Sequence, residues 1–176
     1  MIVSPTAIAG LLALQTQPSH DDRGSFARLA CADVLAAHGV AFVPRQVSSS
    51  RNPALHTLRG LHWQAEPHGE AKLVMALTGA LYDVAVDLRP GSASFGAWFG
   101  TELDGGRRNG LFIPAGFAHG FLTLAPDTEV LYAIDAAYAP DAVRGARFDD
   151  PAFAVAWPAA PAVIGARDLA WPAFVP

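Results

Sequence analysis

The chain lacks paired cysteines, basic tracts and long hydrophobic runs. Its one cysteine, Cys31, excludes an intrachain disulfide framework and a cysteine-rich zinc site, and it fits a cytoplasmic location. The net charge of −4, with no basic tract, argues against nucleic acid or an anionic membrane as a partner. The apolar run at residues 7–14 is too short to span a bilayer and no lysine or arginine precedes it, so we predict an early strand there.

The composition instead indicates one apolar, turn-rich domain over residues 1–176. Hydrophobic residues make up 52% and charged residues 16% of the chain, which has 16 glycines and 14 prolines. A domain of this length buries about two thirds of its unfolded surface and needs no disulfide or metal for stability. The apolar excess indicates that some surface is covered by a partner chain.

The hydrophobic pattern predicts an all-β fold, a β-sandwich or barrel with short helices. Helical periodicity is clear only at residues 26–38. Short apolar runs bounded by turn residues predict strands at 40–47, 73–77, 81–88, 97–103, 110–113, 120–124 and 129–133. From Tyr138 onward, prolines at 140, 151, 158, 161, 172 and 176 predict irregular chain that wraps over the sandwich.

The segment LRGLHWQ, residues 58–64, places an arginine and a histidine in an otherwise apolar stretch. Arg59 and His62 could lie on a solvated face, as most charged strand residues do. Alternatively, a bulge at Gly60 would turn both side chains into one cavity despite their odd spacing. In a second segment, period two places His119 with Phe117 and Phe121 on an aromatic face that we expect to point inward.

The six histidines raise the question of a metal site. The sequence has no H-x-H pair, and the histidines nearest to His62 are six residues away on either side, which argues against a catalytic metal. Acid–base catalysis by His62 would need an orienting carboxylate, for which Asp168 is a candidate, although such residues are usually just solvated. Tyr132 could be a core residue, and Arg23, Arg59, Lys72 and His119 could together hold a diphosphate.

Taken in order, the segments resemble the dTDP-4-dehydrorhamnose 3,5-epimerase family, nucleotide-sugar epimerases with a metal-free cupin jelly-roll fold. The resemblance covers nearly the whole chain. It runs through DDRGSF (21–26), TLRGLHWQ (57–64), PHGEAKLV (67–74), LYDVAVDLR (81–89), SFGAW (94–98), IPAGFAHGF (113–121), LYAIDAAYAP (131–140) and DDP (149–151) with a later WP.

The resemblance implies an isomerase that inverts C3, C5 or both in a dTDP-linked 4-keto-6-deoxy sugar, without metal or other cofactor, for rhamnose-like deoxysugar biosynthesis. It also implies a homodimer that exchanges an N-terminal strand. By position, His62 matches the catalytic base, Asp168 its orienting carboxylate, Tyr132 the acid and Lys72 the group near the 4-keto oxygen. The positions matching substrate-binding groups are Arg23, Arg59 and His119, with Gln46 and Tyr138 as secondary site positions.

Some residues depart from the family pattern and leave the reaction open. His56 stands where the family mostly has glycine, while Arg28 and Val143 each replace a glutamate and Phe148 replaces a tryptophan. None of these changes removes an expected catalytic group. The alternatives are a 3-epimerase or ketoisomerase acting on a related nucleotide sugar, and a non-catalytic cupin that binds the sugar nucleotide.

Overall fold

The chain is built around two six-stranded sheets, as described by a computed structural model that covers residues 1–175. The first sheet has the order β1-β2-β10-β7-β12-β5 and the second β13-β6-β11-β8-β9, with β14 pairing in parallel with β6. The strands are β1 (Ile2–Pro5), β2 (Leu12–Gln15), β3 (Ser19–Asp21), β4 (Gly24–Phe26), β5 (Gln46–Asn52), β6 (Thr57–Gln64), β7 (Lys72–Thr78), β8 (Ala80–Asp87), β9 (Trp98–Asp104), β10 (Asn109–Ile113), β11 (Phe117–Thr123), β12 (Thr128–Ile134), β13 (Val143–Gly145) and β14 (Val163–Ile164).

The expected all-β sandwich is therefore confirmed, with helices confined to α1 (Ala32–Ala36), α2 (Ala166–Leu169) and a 3₁₀ turn (Pro140–Ala142) in the described residues. The core between the sheets follows the period-two pattern of the strands. Alternate residues of both sheets meet in it, including Val74, Leu81, Ala85, Phe117, Phe121 and Val130. No helix in residues 1–175 is long and apolar enough to cross a membrane.

Three predicted elements near the N-terminus were wrong in extent. The run at 7–14 is interrupted by a turn at Gly10 (φ 84°), and its strand starts at Leu12. The helix expected at 26–38 shrinks to α1, because Phe26 belongs to β4 and is 75% exposed rather than part of a buried face. The strand expected at 40–47 begins only at Gln46, since Pro44 has no N–H to donate to a ladder.

The chain after Tyr138 wraps over the sandwich as predicted, but it is not irregular throughout, because it includes β13, β14 and α2. Pro176 lies outside the described residues. The wrap covers the outer face of the second sheet, where Phe153 and Ala146 pack against Val84 and Val86. Trp157 Nε1 donates to the carbonyl oxygen of Phe148 at 2.9 Å. Because both faces of this sheet are covered, β8 is buried along most of its length.

A buried carboxylate organises the turn after β8. Asp87 accepts hydrogen bonds from the guanidinium of Arg89 and from the hydroxyls of Ser92 (2.6 Å) and Ser94 (2.7 Å). Burial alone would raise its pKa, but these hydrogen bonds together hold the pKa of Asp87 well below the usual value of 3.8. The carboxylate is thus the charged centre that ties this loop to the sandwich.

The hairpin β3–β4 lies apart from the two sheets. All six of its strand residues are exposed, and they pair with each other rather than with the sandwich. Arg23 sits at its turn and forms an ion pair with Asp21 on the same hairpin. A two-stranded ribbon with an exposed apolar residue such as Phe26 has little stability of its own.

Candidate active site

A cavity of about 420 Å³ opens between the two sheets. Side chains from both sheets line it, together with residues around α2. The lining residues are Arg59, His62, Glu70, Lys72, His119, Phe121, Tyr132, Ile134, Gly165, Arg167 and Asp168. Six of the nine residues proposed from the sequence thus meet in one place: Arg59, His62, Lys72, His119, Tyr132 and Asp168.

A bulge in β6 lets Arg59 and His62 line the same cavity. His62 lies opposite His119, and Arg59 lies opposite Phe121, so a three-residue spacing on β6 matches a two-residue spacing on β11. Gly60 makes this possible, because a Cβ there would lie 2.6 Å from Gly120 Cα and its φ is +111°. The bulge expected at this glycine is confirmed.

His62 and Asp168 form a hydrogen-bonded pair. His62 Nε2 lies 2.6 Å from Asp168 Oδ1, and the Gly60 N–H donates to Asp168 Oδ2 at 3.0 Å. Burial would raise the pKa of Asp168, but the hydrogen bonds from His62 and Gly60 lower it, so the carboxylate stays ionised. An ionised acceptor holds the proton on Nε2 and leaves Nδ1 as the ring nitrogen able to take up a proton.

The same strand that carries His62 also places Asp168. β14 pairs in parallel with β6, with Val163 opposite Thr57, and α2 follows immediately. The carbonyl oxygen of His56 accepts a hydrogen bond from the N–H of Ala162 at 2.9 Å. His56 itself has φ 56°, a conformation that favours glycine.

Tyr132 faces the cavity from the first sheet, whereas His62 belongs to the second. Its hydroxyl lies 3.4 Å from the Ser50 hydroxyl, and its ring stands edge-on to His119 with centroids 6.2 Å apart. Burial raises the pKa of Tyr132 well above the ordinary value of 10.0. The hydroxyl therefore remains a proton donor over the whole physiological range.

The cavity lining carries three cationic side chains, Arg59, Lys72 and Arg167, against the two carboxylates of Glu70 and Asp168. Lys72 is buried and bonds to Glu70 at 2.8 Å, while Arg59 is oriented by Asn52 at 2.8 Å. His119 Nε2 lies 2.7 Å from the buried carboxylate of Asp83. Within residues 1–175, no group of three or more His, Cys, Asp or Glu side chains is arranged to hold a metal ion.

Three of the proposed residues lie outside this cavity. Arg23 is on the exposed hairpin, and Gln46 donates to the carbonyl oxygen of Ala136 at 3.0 Å. Tyr138 is 61% exposed and lines an adjoining pocket that shares His62 with the cavity. Their assignment to substrate binding stays a prediction.

Sequence reasoning missed three charged residues at the site. Arg167 precedes Asp168 and lines both the cavity and the adjoining pocket. Glu70 lies two residues before Lys72, and Asp83 lies on the inward face of β8. The inward position of Asp83 was predictable from the sequence, because strand residues two apart share a face and Ala85 lies in the core between the sheets.

Comparison with known proteins identifies the architecture. A family model described as dTDP-4-dehydrorhamnose 3,5-epimerase matches residues 5–175. The Escherichia coli enzyme of that name is 40% identical over 163 residues, 90% of this chain and 85% of the relative. The Sinorhizobium fredii enzyme is 46% identical over 113 residues, covering 64% of this chain but 58% of the relative.

A solved structure agrees over nearly the full length. The dTDP-4-dehydrorhamnose 3,5-epimerase of Bacillus anthracis, crystallised with TDP and PPi bound, is 35% identical, with a TM-score of 0.94. The match covers 98% of this chain and 99% of the other. The chain therefore belongs to the dTDP-4-dehydrorhamnose 3,5-epimerase family.

Proposed function

We propose that this enzyme inverts C3 and C5 of a dTDP-linked 4-keto-6-deoxy sugar, in the biosynthesis of rhamnose or a similar deoxysugar. The observation that carries the proposal is that His62, paired with Asp168 of α2, and Tyr132 line one cavity from opposite sheets. Inversion needs proton removal on one face of the ring carbon and proton delivery on the other. A base and an acid across one cavity meet that need.

In the first step, His62 removes the proton from the carbon next to the carbonyl. The electron pair of the broken C–H bond forms a carbon–carbon double bond, and the carbonyl π electrons move onto the 4-oxygen as an enolate. The buried ammonium of Lys72 stabilises that oxygen. Asp168 stabilises the imidazolium that forms.

In the second step, Tyr132 gives its hydroxyl proton to the opposite face of the same carbon, and the enolate electrons return to form the C–H bond and the carbonyl. His62 then releases its proton to water, and Tyr132 regains one. Arg59 and His119 would hold the diphosphate, which the charge of the cavity favours. The Bacillus anthracis relative was crystallised with TDP and PPi, ligands of this class.

We infer a homodimer in which the β3–β4 hairpin crosses to the neighbouring subunit. The fully exposed hairpin and the 75% exposed Phe26 support this arrangement, and it would carry Arg23 to the partner's site. Light scattering at micromolar concentration should give twice the chain mass, and a monomeric mass would overturn the inference. The unpaired Cys31 thiol supports activity in the cytoplasm.

The test is proton NMR of dTDP-4-keto-6-deoxyglucose in deuterium oxide with the purified protein. Loss of both the C3 and C5 proton signals is expected. Loss of one signal alone would assign the narrower 3-epimerase or 5-epimerase activity, and a product with a moved carbonyl would assign a ketoisomerase. No change over hours, combined with tight dTDP binding, would favour the non-catalytic cupin.

A further inference from the structure

Trp171 packs directly beside the His62–Asp168 pair. Its ring stands edge-on to the His62 imidazole, with centroids 6.2 Å apart and an interplanar angle of 66°. The guanidinium of Arg167 lies 5.1 Å from the centroid of the indole. The indole therefore lies against the His62 ring on one side and the Arg167 guanidinium on the other, and it limits the orientations open to the imidazole.

The backbone beside His62 makes room for this indole. Gly145 on β13 pairs with His62 on β6. A Cβ at Gly145 would overlap the indole ring of Trp171, at both Cε2 and Nε1. The absence of a side chain at Gly145 is thus what allows Trp171 to lie against the strand that carries the base.

The indole N–H is buried and has no hydrogen-bond partner among residues 1–175. Such a donor is costly to bury, so its position calls for an explanation. Asp168 uses Oδ1 for His62 and Oδ2 for Gly60, and each carboxylate oxygen can accept a further bond. The side chain of Trp171 also helps to lower the pKa of Asp168, after the larger contributions of His62 and Gly60.

We propose that Trp171 is a positioning residue that fixes the plane of the His62 imidazole and whose buried Nε1–H serves Asp168 as a third donor. This role rests on the proposed function of His62 as the base. Its physical basis is that a carboxylate held by three donors keeps one orientation, and so keeps the imidazole aligned with the substrate carbon.

The test compares Trp171→Phe, which keeps an aromatic ring but removes the N–H, with Trp157→Phe, whose indole donates to Phe148 away from the cavity. We expect Trp171→Phe to lower kcat by about tenfold with KM within about twofold of the wild type. The acidic limb of kcat/KM should move to higher pH, because Asp168 loses a donor. Gly145→Ala, which displaces an intact indole, should reproduce the loss of kcat, whereas Trp157→Phe should not.

A second readout does not depend on turnover. Carbon-13 NMR of aspartate-labelled protein, with the Asp168 signal assigned by Asp168→Asn, follows the carboxyl titration directly. A higher pKa of Asp168 in Trp171→Phe than in the wild type supports the proposal, even if the wild type exchanges no sugar protons and the proposed function fails. An unchanged Asp168 titration in folded Trp171→Phe would overturn the positioning role, whatever the activity.

Discussion

Arg59 and His62 are three residues apart on β6 and still line the same cavity. Their partners on β11, Phe121 and His119, are only two residues apart, so β6 holds one extra residue between the two pairs. In a regular strand, residues three apart point to opposite faces. One backbone irregularity therefore brings together the guanidinium proposed to hold the diphosphate and the proposed base.

Gly60→Ala should destabilise the protein by about 3 kcal/mol, because the new Cβ meets the backbone of β11 and φ is +111°. Gly39→Ala is the matched control, with φ +77° but nothing within 4 Å of the Cβ, and should cost only about 1 kcal/mol. Urea unfolding of both variants measures the difference. Equal costs would show that the close approach of the two strands does not matter.

His62→Ala should lower the rate of sugar proton exchange by at least about 10²-fold, since every turnover needs the base. The control is His38→Ala, because His38 is exposed and its ring bonds only to the Val34 carbonyl oxygen of its own segment. Deuterium uptake at C3 and C5 followed by NMR gives both rates. Exchange at the wild-type rate in His62→Ala would remove His62 from the proposed role.

Tyr132→Phe should separate exchange from inversion. His62 can still remove a proton and return a deuteron on the same face, so label should enter the substrate while epimer formation falls by at least about 10²-fold. Tyr82→Phe is the control, because Tyr82 packs against Trp157 on the outer face of the sheet. The configuration of the labelled sugar, read from its NMR couplings, decides the point, and normal epimer yield from Tyr132→Phe would exclude the acid role.

Asp87→Asn should cost about 3 kcal/mol of stability at neutral pH, because it breaks a buried charge network. The pKa of Asp87 is lower in the folded protein than the ordinary 3.8, so its contribution is present above that pH and is lost as the pH falls through the folded value. The difference between wild type and variant should therefore shrink below about pH 4. Denaturant unfolding over a pH series measures it.

The control for this prediction is Asp149→Asn, which removes a carboxylate from an exposed ion pair with Arg147. Screening by solvent makes such a pair worth less than about 1 kcal/mol. If Asp87→Asn costs no more than Asp149→Asn at pH 7, the network around Asp87 does not hold the loop.

The sequence predicted best those strands in which a short apolar run is bounded by turn residues, as in β7, β8 and β12. It failed at 26–38, where helical spacing was present but only Leu35 of the resulting helix is buried. Hydrophobic periodicity shows which residues would share one face of a helix. Whether that face is buried depends on which other parts of the chain pack against it.

The site was predictable in part. Gly60 indicated the bulge from local chemistry alone, but the partner of His62 is 106 positions away in the sequence, and no local pattern encodes that contact. Asp168 was one candidate among the carboxylates, and the resemblance to a family is what assigned it as the orienting group. The resemblance did not supply Glu70, whose pairing with Lys72 depends on the path of the chain before β7.

Because the proposed base and acid come from different sheets, the gap between them is fixed by the packing of the sandwich, about 10 Å for facing sheets. Core residues such as Val74 and Val130, which lie between the sheets and do not line the cavity, then set the distance between base and acid. A substitution of such a core residue leaves every polar side chain intact, but it would still change the distance from the Tyr132 hydroxyl to the sugar carbon that receives its proton. Apolar core residues that do not contact the sugar can therefore change which carbon the enzyme inverts.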